Sequence, residues 1–136
     1  MDSSLYTLIK LPNINLQDES SIFFGEDFPF EVKRIFYLYG FNRDGILRGD
    51  HAHHKCKQIL FCLDGEYVLK LDNGFREEYF IHTSSQPNIG IMIDVLTWIR
   101  LEKISEGTKI LVLASHKYDE SDYIRNYDKF KDIITK

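Results

Sequence analysis

The residues of this chain best suited to chemistry lie between Gly45 and Gly65, in the run Arg48-Gly49-Asp50-His51-Ala52-His53-His54-Lys55, with Gln58 shortly after. On an extended strand side chains alternate between faces, so His51 and His53 project together and His54 points away. Two histidines placed in this way fit three uses: a metal site, an acid/base pair, or two polar residues on a half-exposed face. Alternation alone leaves all three open.

The elements around this run read as strands. Val32 to Tyr39 and Gln58 to Leu63 are dense in β-branched and aromatic residues and are bounded by glycine or charged turn residues. Asn73-Gly74 stands between Glu66 to Asp72 and Phe75 to Ile81, a strong hairpin signal. Further strands are expected at Ile89 to Ile93, Thr97 to Lys103 and Lys109 to Ala114, with Glu106-Gly107 turning between the last two. Many short strands with frequent turns point to an all-β antiparallel sandwich or barrel. Near the C-terminus the period changes. Tyr123, Tyr127, Phe130 and Ile134 fall on one face of a helix, which Ser121 or Asp119 can cap. These aromatics read as packing.

With 136 residues, the chain is long enough for one domain with a proper core. Its 43% hydrophobic and 28% charged residues describe a folded protein and not a disordered one. A net charge of -4 argues against nucleic acid or an anionic membrane as partner, so an anionic ligand must be held by a local cluster. No segment approaches the roughly 20 apolar residues that span a bilayer, and Met1-Asp2-Ser3-Ser4 lacks the basic start of a signal peptide. We therefore expect a cytoplasmic protein. Cys56 and Cys62 read as reduced thiols packed as small apolar groups in one strand.

The spacing Gly-x5-His-x-His-x4-Gln-x6-Gly, from Gly45 to Gly65, resembles the first signature of the cupin superfamily, with Gln58 where a glutamate normally stands. Glutamine is a poorer ligand for a hard divalent ion, and Gly90 to Arg100 offers Trp98 but no histidine for a second signature. His82 and His116 read as strand-edge or loop residues, so a site without metal is expected. The resemblance sharpens with Phe28 to Gly40, with Arg48-Gly-Asp-His-Ala-His53 and Gln58, with Leu111 to Ser115, and with the tail Tyr118-Asp-Glu-Ser-Asp-Tyr-Ile-Arg-Asn-Tyr127. Together these blocks resemble the dTDP-4-keto-6-deoxyglucose 3,4-ketoisomerases.

That resemblance implies a cupin jelly roll, active without metal or other cofactor, that moves the ketone of a dTDP-linked 4-keto-6-deoxyhexose from C4 to C3. The product would feed a 3-aminotransferase and so supply 3-amino-3,6-dideoxy sugars for surface glycans. It also implies a homodimer with exchanged N-terminal strands, Ser4 to Leu11 pairing in the partner's sheet. Within this reading His51 is assigned as the base at carbon and His53 as the group that shuttles or orients protons, although the two could exchange roles. Tyr39, Tyr37 and Gln58 are the expected donors to developing negative charge. The two tyrosines share parity opposite to Arg34, so only one set faces the lumen of a regular strand. Arg34, Arg48 and then Lys55 suit the pyrophosphate, Arg48 equally suits an ion pair, and Trp98 could stack on the thymine or sugar or belong to the core. Two departures stand out: Asp18-Glu19 is followed by Ser20-Ser21 instead of Arg-Gly, and Asp94-Val95 replaces Pro-Pro before the tryptophan. Rival readings are a 3,5-epimerase-like cupin, a non-catalytic sugar-binding cupin and a metal-dependent oxygenase.

Overall fold

A computed structural model describes residues 4–136. In chain order its strands are β1 (Tyr6–Lys10), β2 (Asn13–Asn15), β3 (Ser21–Phe23), β4 (Arg34–Leu38), β5 (Arg48–His53) and β6 (Gln58–Asp64). There follow β7 (Glu66–Asp72), β8 (Glu77–Thr83), β9 (Ile89–Ile93), β10 (Trp98–Glu102), β11 (Lys109–Ala114) and β12 (Tyr123–Ile124), and a single helix α1 (Tyr127–Ile134) ends the described fold. Two antiparallel five-stranded sheets form, in the orders β1-β9-β6-β11-β4 and β12-β5-β10-β7-β8, while β2 and β3 make a separate exposed ribbon.

Alternation of the apolar residues explains why the two sheets close on each other. Leu60, Cys62, Ile91, Ile93, Ile110 and Val112 of the first sheet meet Tyr67, Leu69, Leu71, Ile99 and Leu101 of the second in one buried cluster. Burying such side chains contributes roughly 1.5–3 kcal/mol each. A buried polar pair at this level is satisfied: Tyr67 Oη and His82 Nδ1 are 2.7 Å apart, and the other His82 ring nitrogen lies 2.8 Å from the Ile89 carbonyl. His82 is thus buried in the core, where its sequence context suggested a strand-edge or loop histidine.

Several local expectations need correction. The β7–β8 loop is four residues long, not two, because Asp72 pairs with Glu77 and Asn73 Oδ1 accepts from the N–H groups of Phe75 and Arg76. Tyr123 is not helical. It pairs with His53 in β12, and Asp119 caps a short 3-10 turn, Glu120–Asp122, whereas the cap of α1 is Asn126 accepting from Lys129 N. Cys56 lies in the loop before β6, not in the strand with Cys62, and both are buried free thiols. β1 pairs with β9 of its own chain, Tyr6 opposite Ile93 through Lys10 opposite Ile89, where the resemblance implied pairing in a partner's sheet. No helix among the described residues is long and apolar enough to cross a membrane.

α1 lies against the outer face of the second sheet. Phe130 is fully buried with Ala52, Trp98 and Ile124, Tyr127 donates to Asp72 Oδ2 at 2.5 Å, and Lys131 Nζ donates to the Gly74 carbonyl at 2.6 Å. Gly74 has φ +92°, and a Cβ there would overlap the Ile134 side chain. Phe130→Ala removes the centre of this contact and should cost about 3–5 kcal/mol, read as a lowered midpoint in denaturant unfolding.

Candidate active site

β5 carries the two histidines, and its alternation sorts them. Ala52 turns outward beneath α1, so His51 and His53 turn inward. A bulge aims them: His51 faces Ile99 while Gly49 faces Arg100, and the intervening Asp50 adopts a left-handed φ of 57° and ion-pairs outward with Arg100 Nε at 2.8 Å. Gly49 has φ +89°, and a Cβ on it would lie 3.0 Å from the Ile99 carbonyl oxygen. Glycine is therefore required one step before the site, both for its dihedral and for the closeness of β10.

Inside lies a cavity of about 300 Å³ with Phe36, Leu60 and Val112 on its apolar walls and His51, Gln58 and Tyr123 among its polar ones. Arg48 and Arg125 also line it. His53 sits beside it, its ring centroid 5.0 Å from that of His51 and 4.3 Å from that of Tyr123. The His53 Nδ1 is 2.9 Å from Asp122 Oδ2, and Asp122 also accepts from the backbone N–H groups of Lys55 at 2.7 Å and Cys56 at 3.2 Å. His51 Nδ1, His53 Nε2 and Arg34 Nε are buried without a hydrogen-bond partner among the described residues. Buried polar atoms are ordinarily paired, so three unpaired ones at one place mark a site built for an incoming polar group.

Burial sets the protonation states. It pushes His51 down from 6.5 to about 4, and neighbouring His53 adds to the effect. His53 is also lowered by burial, against the opposing pull of Asp122. Burial would raise the Asp122 carboxyl, but its hydrogen bonds from His53, Lys55 and Cys56 outweigh that and hold it below the usual carboxylate range. At neutral pH the site therefore presents two neutral imidazoles beside one ionised carboxylate. Among the described residues, His53, Cys56 and Asp122 bring three metal-capable atoms within 4.8 Å of one another. Both Asp122 oxygens already accept N–H groups, so this cluster is a hydrogen-bonded one and a poor fit to a cation.

Of the residues singled out in the sequence, His51, Gln58 (5% exposed) and Arg48 line the cavity. Arg48 makes no ion pair among the described residues; its Nη1 donates to the Leu47 carbonyl and its guanidinium lies over Phe41. Arg34 faces inward with Phe36 and Leu38, its Nη1 3.5 Å from Tyr123 Oη and its Nη2 3.9 Å from Cys56 Sγ. That orientation resolves the parity left open by the sequence in favour of Arg34. Tyr37 and Tyr39 turn to the other side, 70% and 73% exposed, and do not reach this cavity. Trp98 also falls outside it, packed at 8% exposure under α1, and the Lys55 side chain faces a separate cleft with Lys33, His116 and Lys117.

Sequence reasoning missed Asp122, Tyr123 and Arg125. All three sit in the tail from Tyr118 to Tyr127, which was read as a mark of the family resemblance and, from Tyr123 on, as a helical packing face, and the pairing of β12 with β5 brings them to the histidines. The period of four and three that concealed them arises from α1 starting only at Tyr127.

An antiparallel jelly roll with its polar residues inside the barrel on such a strand is a cupin. The comparisons narrow this further. The family model described as FdtA, WxcM-like, C-terminal, matches residues 3–135. A TDP-4-oxo-6-deoxy-alpha-D-glucose-3,4-oxoisomerase of Aneurinibacillus thermoaerophilus is 37% identical over 111 residues, 82% of this chain and 78% of the relative. The crystal structure of a 3,4-ketoisomerase from Helicobacter canadensis superposes with a TM-score of 0.89 at 34% identity, covering 96% of this chain and 98% of that one. QdtA, a sugar 3,4-ketoisomerase from Thermoanaerobacterium thermosaccharolyticum solved with TDP, gives 0.89 at 35% identity over 98% and 97% of the two chains. The chain belongs to this sugar 3,4-ketoisomerase family.

The depressed histidines have a consequence for stability. Between pH 6.5 and about 4 the unfolded chain binds a proton at His51 that the folded chain refuses, so folding stability falls as pH drops through that window and is fully present above it. His51→Asn should flatten the fall, measured as unfolding midpoints between pH 4 and 7.

Proposed function

We propose that this chain converts a dTDP-4-keto-6-deoxyhexose into its 3-keto isomer by proton transfer alone. The observation that carries the reading is the pair of neutral, buried histidines at a cavity inside the barrel, in a chain of the ketoisomerase family. The C4 ketone acidifies the hydrogen on C3. His51, which lines the cavity, takes that proton, and the C3–H electrons form a C3–C4 double bond as O4 becomes an oxyanion. The O3 proton passes to O4 through His53. Electrons then return from O3, which becomes the carbonyl oxygen, while C4 takes the proton held on His51. Atoms and charge balance without an oxidant, a reductant or a metal.

Negative charge on the sugar oxygens needs donors in a water-poor space. Gln58 and Tyr123 supply them from the wall of the cavity, with the Arg34 guanidinium behind Tyr123. Arg48 and Arg125, both on the cavity lining, suit the diphosphate, because a guanidinium grips two phosphate oxygens at once. A 3-keto product is the form an aminotransferase acting at C3 would consume, in keeping with a role in making amino sugars for surface glycans. We further read the protein as a cytoplasmic homodimer. A cleft of about 790 Å³ on the outer face of the first sheet, with Phe23, Phe28, Phe30, Leu111 and Leu113, leaves apolar surface that a second copy would cover, and Ile35, at 64% exposure, lies beside it.

The test is NMR of dTDP-4-keto-6-deoxyglucose with the protein in D₂O. Deuterium at C3 or C4 with a new 3-keto species is expected, and the coupling constants give the C4 configuration. Exchange at C3 and C5 without migration of the ketone would mean an epimerase instead. His51→Asn should abolish turnover, by 10²-fold or more, roughly the value of a general base, with little change in melting temperature. Arg48→Ala should leave the melting temperature of the free protein nearly unchanged and shrink the rise produced by dTDP.

A further inference from the structure

Asp122 is 69 residues from His53 in the chain, is 9% exposed, and belongs to a segment fixed by its own contacts. Asp119 accepts from Ser121 N, Glu120 holds Arg125 through two hydrogen bonds of 2.6 and 3.0 Å, and His54 N donates to the Asp122 carbonyl at 3.0 Å. The carboxylate is therefore oriented by the backbone: Lys55 N–H fixes Oδ1 and Cys56 N–H fixes Oδ2 before His53 is considered. An ionised carboxylate only accepts. The His53 nitrogen 2.9 Å from it must then be the protonated one, which leaves the lone pair on Nε2, the buried atom with no partner among the described residues.

We propose that Asp122 is a positioning residue that holds His53 as the Nδ1–H tautomer with an acceptor nitrogen facing the reacting sugar. The inference rests on the ketoisomerase reading for its kinetic consequence. With Nε2 unprotonated, His53 can take the proton from O3 and deliver it to O4; the imidazolium formed between the two steps lies against the Asp122 carboxylate, which stays ionised throughout. In the opposite tautomer Nε2 would already carry hydrogen, and the O3 proton would have no acceptor on this ring. Tyr123 follows Asp122 directly, with its ring centroid 5.1 Å from His51, so the same segment that sets the tautomer also covers the pair of rings.

The experiment is ¹⁵N NMR of the full chain labelled at histidine, with His53 assigned by the signals lost in His53→Gln, together with steady-state kinetics of Asp122→Asn. At neutral pH His53 should show a protonated Nδ1 and an unprotonated Nε2. In Asp122→Asn the amide oxygen can still accept from His53 Nδ1 and Cys56 N but carries no charge to offset the imidazolium, so kcat should fall about 10²-fold while KM moves less than about threefold. A wild-type His53 carrying its proton on Nε2 overturns the assignment, and needs no variant to fold. So does an Asp122→Asn protein that keeps near-wild-type kcat, or one whose loss lies wholly in KM. If wild-type protein shows the expected tautomer but isomerises no keto sugar, the isomerase reading fails and the tautomer assignment stands.

Discussion

Everything at this site depends on a side-chain alternation that one glycine keeps in phase. β5 must present Ala52 to the helix and both histidines to the interior, and the bulge at Gly49-Asp50 is what brings that alternation into register with β10. A side chain at Gly49 would press against the Ile99 backbone. Once the phase is set, the outer face takes apolar and ion-paired residues, the inner face takes the histidines, and the cavity follows from the apolar walls of the facing sheet.

The cavity's chemistry then comes from the balance of two opposed effects. Desolvation drives both imidazoles toward neutrality, and for His53 a carboxylate pulls the other way without overcoming it. A solvent-exposed pair would titrate close to its ordinary range. A pair fully sequestered without a carboxylate would lack an oriented tautomer. The observed arrangement keeps the rings neutral and gives one of them a defined donor and a defined acceptor.

Much of this was legible in the chain. The strands β7, β9 and β11 match their expected limits because each is a run of alternating or buried apolar residues with turn residues at its ends. His51 and His53 were legible for the same reason, since period two is a local property. What alternation could not give was its absolute phase on β4: Arg34 or Tyr37 and Tyr39 could face inward, and only packing against β11 decides for Arg34. The tail was misread because Tyr123, Tyr127, Phe130 and Ile134 satisfy a helical period by coincidence at the first of them, where pairing with β5 prevails. Trp98 shows the converse, a large aromatic near the motif whose burial belongs to the seat of α1.

The pairing of β12 with β5 is only two residues long, yet it closes the edge of its sheet and carries the carboxylate, the tyrosine and an arginine of the site. The shortest described strand thus sets Asp122, Tyr123 and Arg125 against the two histidines of β5. A fluctuation that lifts this edge parts Asp122 from His53 and Tyr123 from both histidine rings while leaving the other strands of both sheets paired. Site geometry and core packing are consequently held by different contacts.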